Sequence, residues 1–446
     1  MNTHFYKSIF GCLFLLLGSF YGSAQEQVWS LDSCLSYAVR HNITVKKADL
    51  SINRYDVQVD QAKANRLPSL NASVSQNFSW GQGIVTETGE EYGGIEGSTS
   101  SNYSLNSSVS LFNGFRLQNS VKQSEINLES GKYYAETVKE SVELNVLNSF
   151  LNVLYAEEQV ANAQKQVEAT SEQLALAKER LDLKAISRSD YLQIQSELAS
   201  EKLTLANAQS TLNMAKVNLM QLMELPVSNN FEIVVPDFKS LLSKNLNPSS
   251  EEVYKAALGI KPQIKNAELS TESAKLDSKI AKANLYPSLS LSGSIGSRYS
   301  SQNAAYGYFD QLSSYVSPSL GVSLSIPIYQ KKQVKSNIAI AQIGIEEAAL
   351  EEQNTRNQLR KDIEQTCADV ISAQVKYQAS LEENAATNES YLLAEEKFKQ
   401  GMINSVDFLV QKTNLITSES KLLQSKFNLV FSYKILDFYM GNPISF

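Results

Sequence analysis

Histidine, cysteine, proline and glycine are all scarce in this chain of 446 residues, and each scarcity excludes something. There are two histidines, and only His41 lies beyond the N-terminal leader, which removes imidazole-based catalysis and His-ligated metal sites. Of three cysteines, Cys34 and Cys367 stand more than three hundred residues apart with no C-x-x-C spacing, so both are read as unpaired thiols on helix faces. No G-x-S-x-G or G-x-x-x-x-G-K-[ST] occurs, and "GQG" (Gly81–Gly83) reads as a turn in a polar loop. No enzyme and no cofactor is expected. An excess of 47 Asp+Glu over 40 Lys+Arg offers no basic face to nucleic acid. Nine prolines and nineteen glycines leave room for long unbroken elements.

What is present begins with an export leader over residues 1–24. Lys7 supplies the positive start, "SIFGCLFLLLGSF" (Ser8–Phe20) the apolar stretch, and "GSA" (Gly22–Ala24) the small residues before a cleavage site. Cys12 follows "IFG", a poor lipoprotein box because Phe10 is bulky and cleavage there would leave "LFLLL" on the mature chain.

The mature chain then repeats itself. "AKANRLPSLNAS" (Ala62–Ser73) and "AKANLYPSLSLS" (Ala281–Ser292) share eight of twelve residues at an offset of 219. At an offset of 217, "LFNGFRLQNSV" (Leu111–Val121) aligns with "IYQKKQVKSNI" (Ile328–Ile338), and "ERLDLKAISRSDYL" (Glu179–Leu192) with "EKFKQGMINSVDFL" (Glu396–Leu409). A two-fold repeat is expected: a first unit over 25–226, a linker over 227–250 and a second unit over 251–446.

Within each unit the hydrophobic period changes. Val153, Ala156, Val160, Ala163, Val167, Thr170, Leu174, Ala177 and Leu181 alternate three and four apart, a coiled-coil seam. The seam resumes from Tyr191 through Ile194, Leu198, Glu201 and Leu205 to Leu222, and two helices joined so closely must lie antiparallel. Val121–Leu181 has no proline and a single glycine, which predicts a helix of roughly 90 Å. Ahead of each long helix the period is two. Strands are expected at about 68–80, 102–112, 287–299 and 316–327, with Leu, Val and aromatic residues on one face and Ser or Asn on the other. Their length suits tilted membrane strands, whose apolar face meets lipid and whose polar face lines water. Pro68 and Pro287 stand where helix must stop and strand begin, because proline disfavours helix before it and is tolerated at a strand's start. Four strands cannot close a barrel and open edges are not tolerated in hydrocarbon, so other copies of the chain must complete it. The connections Gly81–Ser101 and Ser300–Ser314 read as exterior loops, with Trp80, Tyr92, Tyr103, Tyr299, Tyr306, Tyr308 and Tyr315 forming an aromatic belt beside them.

This order of elements, taken twice, resembles the TolC-like outer-membrane efflux proteins. "LDSCLSYAVRHN" (Leu31–Asn42), the P-S-L junctions, "LFNGFR" (Leu111–Arg116) and "EKFKQGMINSVDFL" (Glu396–Leu409) carry the likeness, which spans about Trp29 to Pro443. The resemblance implies a mainly α fold with membrane β: a homotrimer whose twelve-stranded barrel stands on a tunnel of antiparallel coiled-coil hairpins. It implies residence in the outer membrane with extension into the periplasm, and passive export in a tripartite efflux or type I secretion system. The partners implied are a periplasmic adaptor and an inner-membrane pump. The hairpin turns, Leu183–Leu192 and Lys399–Leu409, would be the periplasmic tips. There Gly401 suits a left-handed helix end, with Lys184 at the matching place, and Asp190 and Asp407 follow six residues on. Two readings of these aspartates stand side by side: a ring at a constricted entrance, or first-turn residues favoured by the helix dipole. Ile403 and Val410 replace an arginine and an acid that family members carry, which leaves Arg188 as a candidate tip contact. The alternative, a soluble periplasmic coiled-coil adaptor or scaffold, lacks a reason for paired period-two strands and a duplicated hairpin.

Overall fold

The computed structural model describes residues 28–82, 95–228, 230–303 and 305–446; the leader, Cys12 and Tyr92 lie outside them. Of the described residues, 28–46, 138–260 and 359–446 form one compact unit, and those within 47–137 and 261–358 a second.

The second unit is built on a sheet. Helix α1 (Leu31–His41) belongs to the first unit, and α2 (Ile43–Ala64) leads from it to strand β1 (Ser69–Gln82) and strand β2 (Ile95–Asn113). Later in the chain α7 (Pro262–Ala283) leads to β3 (Ser288–Ser300) and β4 (Ser317–Ser325). Pro68 and Pro287 each sit immediately before a strand, where the absent N–H is not missed by the ladder. The strands pair antiparallel in the order β1-β2-β3-β4. Register gathers the apolar positions on one face: Val74 lies opposite Tyr103, Leu105 opposite Ile295, Val109 opposite Leu291, and Leu291 opposite Val322. The other face is a ladder of hydroxyls, Ser73 with Ser104 and Ser294 with Ser319, each pair 2.7 Å apart. A slip of one residue would exchange the two faces, so the alternation itself fixes the register. Leu70, Val74 and Phe78 on β1 and Leu320 and Val322 on β4 are exposed, an unusual fate for large apolar side chains gathered on one face of a sheet.

Three details differ from the sequence reading. Strand β2 begins seven residues before its expected start, at Ile95, in a Gly/Ser stretch without hydrophobic alternation. A register shift between Ser110 and Phe112 sets Phe112, rather than Leu111, opposite Leu289. The Ser300–Ser314 connection, expected as a plain loop, contains helix α8 (Tyr308–Ser314). The buried Gln311 holds it, its amide donating to the carbonyls of Ser300, Asn303 and Tyr306. Beside it the Tyr103 and Tyr308 hydroxyls lie 2.6 Å apart, and the Tyr299 and Tyr308 ring centroids 4.6 Å.

The first unit is helical. It takes the C-terminal parts of two 67-residue helices, α3 (Arg116–Asp182) and α9 (Gln333–Lys399). Each returns as a shorter helix, α4 (Arg188–Leu222) and α10 (Ser405–Met440). Every seam position from Val153 to Leu181, and from Tyr191 to Leu222, is buried or half-buried, as a period-3.5 stripe requires. Phe150, Leu219, Leu359, Ile363, Leu429 and Tyr433 are fully buried and form its centre. The stretch between the hairpins packs into this unit. Ile233 bridges Trp29, Phe238 and Leu241 (within α5, Lys239–Leu242) are buried, and the Tyr433 hydroxyl donates to the Lys244 carbonyl at 2.7 Å. Helix α6 (Ser250–Ile260) completes the unit. Cys34 and Cys367 are free and buried, and burial pushes the Cys34 thiol up to about 12.

Candidate functional site: the paired hairpin turns

Both hairpin turns are made the same way from different residues. At the end of α3, Lys184 adopts φ 60° and the Ala185 N–H donates back to the Arg180 carbonyl at 2.8 Å. At the end of α9, Gly401 adopts φ 72° and the Met402 N–H donates to the Lys397 carbonyl at 2.8 Å. Each is a left-handed cap with the six-to-one bond that satisfies a terminal carbonyl. Glycine meets this need without cost, whereas Lys184 holds a conformation disfavoured for a side chain with Cβ.

The aspartates then start the returning helices. Ser187 caps α4: its hydroxyl accepts from the Asp190 N–H at 3.1 Å, and the Asp190 carboxylate accepts from the Ser187 N–H at 3.3 Å. Asn404 caps α10, accepting from the Asp407 N–H at 2.8 Å while its amide donates to the Asp407 carboxylate at 3.0 Å. The helix-start role of both aspartates is thereby on view. They differ in a second respect. Asp407 is exposed, but Asp190 Oδ1 also accepts from the buried Ser405 hydroxyl at 2.6 Å, the first residue of the other hairpin's return helix.

That bond joins the two turns, and a second joins them from the other side: Arg180 Nη2 donates to the Lys399 carbonyl at 2.9 Å. Phe398 and Phe408 stack at 4.8 Å, closing the α9–α10 turn from within. A cleft of about 190 Å³ lies beside them, lined by Gln173, Leu176, Arg180, Ile186 and Phe398 among others. Arg188, expected as a tip contact, is the exposed first residue of α4. Sequence reasoning missed Ser405 and Arg180. Ser405 aligns with Arg188 in the repeat, and a serine opposite an arginine gives no sign of its partner.

Hydrogen bonds from Ser187 and then Ser405 hold the Asp190 carboxyl below its ordinary range. A depressed folded value means that its contribution is complete above the unfolded value near pH ~4 and is lost as pH falls through the depressed one. Hydrogen exchange corrected for intrinsic rate is therefore expected to show constant protection of the Leu183–Leu192 turn above pH ~4 and faster exchange below it. In Asp190→Asn, exchange is expected to be about fivefold faster at neutral pH and flat with pH, the loss of roughly one cap.

Among the described residues no helix is long and apolar enough to cross a membrane, and no cluster of ligands is able to hold a metal ion. The fold is nevertheless that of outer-membrane channels. The Campylobacter jejuni CmeC outer membrane channel is similar to it with a TM-score of 0.77 at 18% identity, over 93% of this chain and 87% of that one. Vibrio cholerae outer membrane protein VceC is similar with a TM-score of 0.73 at 16% identity, over 93% and 96%. In sequence, the outer membrane efflux protein BepC of Brucella suis is 21% identical over 433 residues, 97% of this chain and 90% of BepC. The toxin and drug export protein A of Aggregatibacter actinomycetemcomitans is 20% identical over 90% of this chain and 83% of its own length. The sequence profile described as "Outer membrane efflux protein" matches residues 34–224 and 253–442, and the chain belongs to that family. It is a transport protein of the outer membrane with a periplasmic extension, not an enzyme.

Proposed function

We propose that the protein is the exit duct of a tripartite efflux or type I secretion system. Three chains close a twelve-stranded barrel, the helical hairpins of each copy wall a periplasmic tunnel, and an adaptor couples it to an inner-membrane pump. The mature chain works as two repeats over 25–226 and 251–446. The observation that carries this reading is the sheet. Its exposed apolar row and its opposite hydroxyl ladder make sense only with hydrocarbon on one side and water on the other, and its two outer strands need partners. The family match supports the same reading.

The paired turns form the periplasmic aperture in this scheme. Three copies of Asp407, exposed and capped by Asn404, present carboxylates to the entrance, while Asp190 and Ser405 latch the two hairpins of one chain. Reconstitution into planar bilayers tests both levels. Stable channels that polyvalent cations block from the tip side are expected. Asp407→Asn is expected to weaken that block at least about fivefold, the loss of roughly one exposed charge contact. Unchanged block would leave Asp407 a helix cap alone, and a mature protein that stays soluble without detergent would overturn the duct itself.

A further inference from the structure

The four helix–strand junctions of the second unit carry a charge pattern that export does not require. Take the eight residues on the helix side of each strand end: 61–68, 114–121, 280–287 and 326–333. They contain Lys63, Arg66, Arg116, Lys282, Lys331 and Lys332, and no Asp or Glu. The strands with their connections, 69–113 and 288–325, contain one cation, Arg298, against five acids. A chain with net charge −7 thus concentrates positive charge at one end of its sheet alone. Register places all four junctions at that same end.

Large apolar side chains accompany the cations. Leu67 follows Arg66, Phe115 precedes Arg116, Tyr286 lies four residues after Lys282, and Ile328 and Tyr329 precede Lys331. All are exposed, Ile328 at 95% and Tyr329 at 81%. The six cations are exposed too; Lys63 stands 3.5 Å from Glu125, one turn beyond the band. Lys331 and Lys332 hold φ 49° and 63°, where the other repeat has Gly114 and Phe115 at 65°. Two successive lysines are therefore kept in a conformation that favours glycine. An exposed apolar or aromatic side chain beside a Lys or Arg, at a strand end, is the chemistry of a lipid interface: the ring or aliphatic chain enters the acyl boundary and the cation meets phosphate.

We infer that the junction band is a collar for anionic phospholipid headgroups of the inner leaflet of the outer membrane. The inference rests on the membrane orientation proposed above. Phosphates seated on Arg66, Arg116, Lys331 and Lys332 fix the depth at which strand gives way to helix.

The test is electron spin resonance of spin-labelled lipids around the full chain, reconstituted in phosphatidylcholine vesicles. Labelled phosphatidylglycerol is expected to associate about fivefold more strongly than labelled phosphatidylcholine, the effect of roughly one cation–headgroup contact. The variant Arg66→Gln, Arg116→Gln, Lys331→Asn, Lys332→Asn, with asparagine chosen because it tolerates left-handed backbone, is expected to bring that ratio near one. Arg298→Gln, at the far end of the sheet, is expected to leave it unchanged. Motionally restricted phosphatidylcholine without any preference for phosphatidylglycerol, or a preference that survives in the quadruple variant, would overturn the collar and leave the channel reading intact. No restricted lipid of either kind would overturn the membrane reading, and the collar with it.

Discussion

Lys412→Met is expected to lower the unfolding free energy by about 3–5 kcal/mol. Lys412, on α10, stands 2.6 Å from Glu201 on α4, with side chains 5% and 6% exposed, and its ammonium also donates to the Thr170 hydroxyl on α3. Three helices of the first unit thus meet at one buried cation. Removing the ammonium leaves the Glu201 carboxylate buried without its cation, which costs far more than the pair gains over an apolar one. The double variant Lys412→Met with Glu201→Leu removes both charges and is expected to recover most of the loss, because a buried pair and a well-packed apolar pair are close in free energy. Guanidinium unfolding of the detergent-solubilised protein, followed by circular dichroism, measures both variants. A single-variant loss under ~1 kcal/mol would mean that water reaches the pair.

Gly114→Ala is expected to abolish most assembly of the proposed trimer. Gly114 links β2 to α3 at φ 65°, and a Cβ there would lie 2.5 Å from the Ala283 carbonyl oxygen and 3.1 Å from Ala283 Cα. Both obstacles are backbone, so no rotamer change relieves them. The left-handed conformation alone costs about 1–2 kcal/mol for alanine, and the clash adds to it. Gly344→Ala, inside α9 with open space around it, serves as the control and is expected to be neutral or stabilising by up to ~1 kcal/mol. The yield of protease-resistant oligomer after refolding distinguishes the two. Equal yields would show that the junction yields to the added methyl.

The helical part of this fold was legible because its signal is local. A seam with spacing of three and four needs no knowledge of its partner, and the caps at Lys184 and Gly401 follow from how helices end. The one charged residue of that seam, Glu201, reads in the sequence only as a seam position, although an apolar stripe tolerates a carboxylate only beside a cation. What sequence did not reveal was which cation. Lys412 comes from the other hairpin, more than two hundred residues away, and its position 217 residues back is Gln195. The repeat does preserve the polar level itself. Thr170 and Glu201 recur as Thr387 and Ser418, whose hydroxyls lie 2.6 Å apart. At the turns, the helix-start role of Asp190 was readable from its position, but the Ser405 latch was not, because serine is common at helix starts whether or not anything faces it. Strand β2 was underestimated at its start for a related reason: its Gly/Ser residues are ordered by pairing with β1, and pairing leaves no periodicity in a polar stretch.

The sheet order has a consequence for how the protein must be made. Strands β1 and β4 are its margins, fourteen and nine residues long, and in one chain neither has a neighbour on its outer side. In the closed barrel proposed above, joining copies head to tail sets β4 of one against β1 of the next, so the contact between copies is limited by the shorter margin to nine residues. Within a chain, β1 pairs with β2 along all fourteen. In the proposed ring the seam between copies is therefore the weakest. A copy whose sheet has formed before it meets the others carries two sticky borders of opposite polarity into the periplasm, each ready to template the wrong neighbour. On the proposed barrel, the sequence that gives the wall its two solvents also favours ring closure and entry into lipid coming together rather than one after the other.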